Sequence, residues 1–195
     1  MARGDHNSPG RPSGDDMRAN QDPNARMGVF KSMSEVPDRY HLSNYANEFH
    51  GDDTWTQYLL LRYDGTVNQA QGQLSVSRAR EVERCGRYFK QFMHYNRDTH
   101  HAIGTAGDIE AFLSAVKDGY ENPTKQPRTI TTVYDTYFAP VNRFYDWLQS
   151  WVDFPHRYQP VLMACADGGV AQECWNYRMG KADRQFDKNH GDTNE

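Results

Sequence analysis

Arg80, Arg84 and Arg87 recur at steps of four and three residues, and Gln91 and His94 continue the series. On a helix such positions share one face. Guanidinium groups at this spacing can neutralise successive phosphates of a nucleic acid or donate in pairs to a guanine edge; a carboxamide such as Gln91 can pair with adenine. Lys90 adds a further cation to the same run. The plainer reading is a solvated helix face, with Glu81 and Glu83 placed to pair with Arg84 and Arg87.

Other residues that could do chemistry read as structural. His100 and His101 adjoin on a loop without Cys, Asp or Glu at a ligand spacing, so no metal site is expected. Cys85, Cys165 and Cys174 form no C-x-x-C pair, and Cys165, Cys174 and His156 lack a zinc spacing. Buried thiols in a reducing compartment are the expectation. Asp108 and Glu110 suggest an acid pair, but Thr105-Ala-Gly-Asp108 reads better as a capping box with Asp in place of Glu. The chain contains no P-loop, G-x-G-x-x-G, H-E-x-x-H or G-x-S-x-G. No catalytic residue, cofactor or metal is expected, and the chain does not read as an enzyme.

The elements that must position these residues follow from periodicity. Residues 54–63 predict a short helix, capped by Thr54, with Trp55, Tyr58, Leu59 and Arg62 on one face and Asp64-Gly65 as the stop. Residues 77–96 predict a long helix capped by Ser75 or Ser77. Its core stripe is Val82, Cys85, Phe89, Phe92 and Met93, opposite the arginines, and mid-helix Gly86 marks close packing against a neighbour. Residues 106–117 predict a third helix, with Ile109, Phe112, Leu113 and Val116 inward. Thr129 caps a further helix reaching Trp151, whose apolar stripe runs Ile130, Tyr134, Tyr137, Val141, Phe144, Leu148, Trp151. Pro140 inside it predicts a kink, or two helices at 129–138 and 140–151. Residues 161–166 read as an apolar anchor, and 170–185 as a short last helix.

The fold class expected is all-α: a small orthogonal bundle of four to five helices with a disordered N-terminal arm and a C-terminal tail. The divisions are 1–50 for the arm, rich in Gly, Pro, Asp, Asn and Arg; 51–165 for the helical domain; and 166–195 for the tail. No run approaches the ~20 apolar residues of a membrane span, and the N-terminus lacks the apolar core of a secretory signal, so a cytoplasmic protein is expected.

Charge narrows the function classes. The net charge is −4, which excludes a globally basic surface. Residues 61–152 carry eleven basic and ten acidic side chains, against six and nine before them and five and seven after. A nucleic-acid surface must then be a local stripe. Arg outnumbers Lys sixteen to six, a bias that suits phosphate contacts and equally a GC-rich genome.

The order of these pieces resembles the SAM-like core-binding domain of tyrosine recombinases and phage integrases. The residues that carry the likeness are the arginine-bearing helix, Asp108-Ile109-Glu110-Ala111-Phe112-Leu113, Thr129-Ile130, Arg143-Phe144-Tyr145-Asp146-Trp147-Leu148 and Gln159-Pro160, over about residues 55–165. The chain departs from that family at Gln159, where Asn is usual, and at Pro140. About thirty-five residues follow Pro160, with no stretch that could supply the catalytic arginines and tyrosine.

The resemblance implies one half of a clamp around duplex DNA. It implicates Arg80, Arg84 and Arg87, with Arg128, Thr129 and Thr132 at the start of the second long helix and Asn142 and Arg143 further along. With Lys90 and Gln91 these form the expected DNA-binding set. The partners it implies are double-stranded DNA and either a full-length recombinase or a second copy of the chain, with no membrane. The alternative class is a helical protein-interaction module that docks through its aromatic helix, Trp147 included; a third reading is a decayed integrase fragment.

Overall fold

The computed structural model describes residues 22–63, 76–122 and 124–190. Residues 1–21 of the expected arm, Asp64-Gly65, Ser75 and the side chains of Arg62 and Ser77 lie outside the described residues. The described chain is all-α, with no strand among its residues.

The first helix, α1 (Thr54–Tyr63), is started by Asp53 rather than Thr54. The Asp53 carbonyl accepts the first helical bond from Gln57 N–H (3.1 Å), and its carboxylate accepts from Thr56 N–H (3.1 Å). That is the geometry of an N-cap. Trp55 and Tyr58 are its buried face.

Helix α2 (Val76–Arg97) buries Val82, Cys85, Phe89, Phe92 and Met93 along the expected stripe. Burial of each large side chain contributes roughly 1.5–3 kcal/mol, which outweighs the ~1 kcal/mol that Gly86 costs relative to Ala. Gly86 itself lies under the Trp55 indole: a Cβ there would stand 2.0 Å from Trp55 Nε1. The glycine is what lets α1 sit down on α2.

Helix α3 (Ala106–Lys117) opens on the expected capping box. Thr105 Oγ1 accepts from Asp108 N–H (3.3 Å), and the Asp108 carboxylate accepts from Thr105 N–H (2.9 Å). Arg97, at the end of α2, adds an ion pair to Asp108 (2.6 Å).

From Ile130 to Ser150 the chain is one continuous helix of three parts: α4 (Ile130–Val133), a π turn (Tyr134–Phe138) and α5 (Ala139–Ser150). Pro140 neither breaks nor splits it. The wider π turn, in which Ala139 N–H reaches back to Tyr134 C=O, absorbs the proline that an unbroken α-helix would reject.

The apolar anchor is helix α6 (Pro160–Asp167), with Gln159 as side-chain cap and Pro160 in its first turn. Helix α7 (Gly169–His190) is longer than the short helix expected, and Val170, Ala171, Cys174, Trp175 and Met179 are buried against the body. Helices α3, α6 and α7 pack on one another; α2 lies across α3 and α5, and α1 contacts α2 and α5.

The expected arm ends earlier than residue 50. From Pro23 onward short 3-10 turns (Pro23–Arg26, Met33–Glu35, Asp38–Tyr40, Leu42–Tyr45) fold back on the helices and bury Met27, Val36, Leu42 and Phe49. The first turn packs on α6, and Leu42 N–H donates to Tyr158 Oη (3.3 Å).

Candidate nucleic-acid interface

The outward face of α2 holds Arg80, Arg84, Arg87 and Gln91, all exposed. Glu81 does not pair with the stripe: Arg78 takes it at 2.9 Å and also donates to Asp135 C=O (2.9 Å) across the seam to the π turn. Among the described residues no ion pair claims Arg80, Arg84 or Arg87, and the Arg87 guanidinium lies over the Tyr88 ring at 5.4 Å. Glu83 stands beside Arg87 in a groove of about 510 Å³ floored by Trp55, Leu59 and Leu60.

Arg143, half-buried on α5, lies close enough to Cys85 on the inner face of α2 for its charge to reach that thiol. Burial pushes the Cys85 thiol well up, and the positive charges of Arg78, Arg84 and Arg143 all reach it and oppose that shift.

Three members of the expected set are engaged elsewhere. Lys90 is paired with Asp53 (2.6 Å). Burial acts to raise the Asp53 carboxyl, but bonds from Lys90 and Thr56 outweigh it and bring the pKa down to about 2. Arg128 turns back onto α3. Its Nη1 donates to Val116 C=O (2.5 Å) and Tyr120 C=O (2.8 Å), and its guanidinium lies 5.2 Å from the Tyr137 ring centroid. It adds a second donor at Val116 C=O, which also accepts from Gly119 N–H (3.3 Å), and fixes the Tyr120 carbonyl beyond the end of α3.

Asn142 is buried at 8 % exposure; it donates to Asp146 Oδ2 (3.0 Å), and its backbone carbonyl accepts from Gln159 Nε2 (3.4 Å). The buried Oδ1 of Asn142 has no partner. Thr129 and Thr132 are exposed at the start of α4, where Thr129 Oγ1 accepts from Thr132 N–H (3.3 Å). The exposed members on α2 are Arg80, Arg84, Arg87 and Gln91; Arg143 is half-buried on α5, and the two threonines are exposed at the start of α4.

The other candidate residues have structural work. Glu110 is half of no acid pair: its carboxylate accepts from Val170 N–H (2.8 Å), Ala171 N–H (2.9 Å) and Ser114 Oγ (2.9 Å), and so caps α7. Cys85, Cys165 and Cys174 are buried free thiols, raised by burial. Trp147, offered to a partner by the alternative reading, is buried against Tyr58 (5.6 Å) and Phe154 (5.1 Å).

Sequence reasoning missed His101. It is buried, and its Nε2 accepts from Trp55 N–H (3.3 Å) at the start of α1. No signal in the sequence links it to Thr54 and Trp55, which lie 47 and 46 residues away. Among the described residues no group of three or more His, Cys, Asp or Glu side chains could hold a metal ion, and no helix is long and apolar enough to cross a membrane.

No protein-family model, curated protein or solved structure matches the chain. The likeness to the recombinase core-binding domain therefore rests on the residue pattern alone.

Proposed function

We propose that this chain is a non-catalytic module that binds double-stranded DNA through the outer face of α2, with Arg143 of α5 as a flanking contact. The observation that carries the reading is the Arg80–Arg84–Arg87 stripe: exposed, on one helical face, and claimed by no carboxylate among the described residues. Arginines whose charge is not already neutralised are what phosphate binding needs. The competing idea of docking through the aromatic helix is left with little surface, because Phe144, Tyr145, Trp147 and Leu148 are buried.

One face of one module covers one side of a duplex. A second copy, or a full-length recombinase, supplies the other half of the clamp in this reading, and joint engagement raises the affinity of each. DNA integration, recombination or the maintenance of a mobile element are the processes such a module serves.

The test is fluorescence anisotropy on a labelled mixed-sequence duplex at ~50 and ~200 mM salt. Log affinity falls with log salt by about 0.9 per neutralised phosphate, so loss of three contacts in Arg80/Arg84/Arg87→Ala lowers the slope by roughly 2.7. A folded wild-type protein that binds no duplex at low salt sinks the proposal.

A further inference from the structure

Three histidines meet where the chain enters α1. His101 accepts from Trp55 N–H through Nε2 (3.3 Å), so its ring proton is on Nδ1 and Thr54 Oγ1 donates to the same Nε2 (2.9 Å). His100 is the opposite tautomer. Its Nδ1 accepts from Ala102 N–H (3.2 Å), and its Nε2–H donates to Asp52 C=O (2.9 Å). His156 Nε2–H donates to Ala102 C=O (2.6 Å). The His100 and His101 rings are 4.0 Å apart, and Phe49 stacks on His100 (5.5 Å) and stands edge-on to His156 (6.0 Å).

His100 and His101 work only when neutral, whereas His156 would keep its Nε2–H bond to Ala102 C=O on protonation, and burial lowers it to about 4 against the pull of that bond. A proton added to His101 Nε2 removes the acceptor of Trp55 N–H and sets a cation against the positive end of α1. A proton added to His100 Nδ1 removes the acceptor of Ala102 N–H.

We propose that His100 and His101 form an acid-released latch that holds Phe49 and the start of α1 on the body, and that opens as one unit while α3, α6 and α7 stay packed. The groups facing the pair come from every element around it. Asp52 and Asp53 lead into α1; Lys90 and His94 stand on α2, with Asp98 just after it; His50 lies on the preceding turn; Tyr145 Oη on α5 donates to His101 C=O (2.9 Å). A cavity of about 660 Å³ between residues 46–53 and 98–103 gives water a route to the rings.

Burial lowers both histidines. His101 falls to about 3, with His100 and Lys90 adding to the shift and Asp53 opposing it; His100 is lowered less, against the pull of its bond to Asp52. The closed form is therefore fully favoured above the ordinary histidine value of ~6.5 and is weakened as pH falls below it. The opening constant rises about tenfold per pH unit for each histidine released. Opening also parts Asp53 from Lys90, leaving that cation without its counter-ion on α2.

Hydrogen exchange read by mass spectrometry on the full chain, corrected for intrinsic rates, tests the latch at pH 7.0 and 5.5. The expected result is at least a tenfold loss of protection over residues 49–60 with α3 and α7 unchanged. The double variant His100→Asn/His101→Asn keeps polar side chains that do not titrate, so its exchange over 49–60 loses most of this pH dependence. Unchanged protection in the wild type, the same pH dependence in the variant, or simultaneous loss across α3 and α7 each overturn the latch. Should the variant fail to fold, imidazole NMR titration of the wild type decides. His101 neutral at pH 5 wherever α1 is closed supports it, and His101 titrating near 6.5 with α1 still protected overturns it.

Discussion

The outer face of α2 and the ends of α3 use charge in opposite ways. On α2, Arg80, Arg84 and Arg87 point into solvent with no carboxylate claiming them among the described residues. Around α3 three charged side chains reach backbone, while Lys117 pairs with Glu173 (2.7 Å). Asp108 caps the helix it starts, Glu110 caps α7, and Arg128 closes the carbonyls of Val116 and Tyr120. Arg128 and Arg84 are the same residue type, both expected at DNA, yet only one is available. Arg128 is held by two backbone carbonyls and a ring face, and another ligand must displace them at a cost. Availability, more than residue type, separates a candidate interface from scaffold.

The largest effect is expected on the scaffold side. Glu110→Ala removes the acceptor for two backbone donors at the start of α7 and should cost about 3 kcal/mol in urea denaturation, with α7 losing exchange protection first. A cost below ~1 kcal/mol would mean that α7 is held by packing alone. Next is Arg128→Ala, at about 2–3 kcal/mol for the loss of hydrogen bonds from a charged group. Both bonds come from the single nitrogen Nη1, so Arg128→Lys should recover part of the loss, and what an ammonium does not reproduce is the planar contact with the Tyr137 ring.

Gly86→Ala should destabilise by about 1–3 kcal/mol through overpacking against Trp55, reversing the usual helix preference for alanine; a neutral or stabilising result would show that α1 shifts freely. Arg84→Ala should change stability by no more than ~0.5 kcal/mol while lowering the salt slope of DNA binding by about 0.9. Arg84→Ala matching Arg128→Ala in melting experiments would erase the contrast between the two regions.

Much of the helical framework was legible. The bounds read for α1 and α3, 54–63 and 106–117, coincide with those of the structure; for α3 apolar periodicity and a capping box both mark the start, while for α1 periodicity did so although the cap is Asp53 and not Thr54. The Gly86 contact was also legible, since a mid-helix glycine needs a packing reason. Residues 22–50 were not: Met27, Val36, Leu42 and Phe49 are single anchors on turns of three or four residues, too far apart to set up a period. The candidate site was half legible. Periodicity placed the α2 stripe, but nothing in sequence says that Arg128 folds back or that Asn142 points inward, since both depend on which helix lies opposite.

Several of the residues that carry the family likeness have structural work in this fold. Asp108, Thr129 and Gln159-Pro160, which carry much of it, are all helix punctuation here: a capping box, an N-cap and an N-cap with proline in the first turn. Such residues recur wherever helices of similar length follow one another.

The π turn at Tyr134–Phe138 has a consequence for how the long helix is aimed. A π turn accommodates one residue more than an α turn, so everything after it is out of phase by roughly 100° with an uninterrupted helix. Thr129 and Thr132 stand before the slip, Arg143 after it. The two ends of one rod are thus clocked independently. Deleting a single residue from 134–138 should turn the segment into plain α-helix and leave the threonines and Arg143 in the same relative phase, whereas straightening the π turn without a deletion would swing them by about 100°.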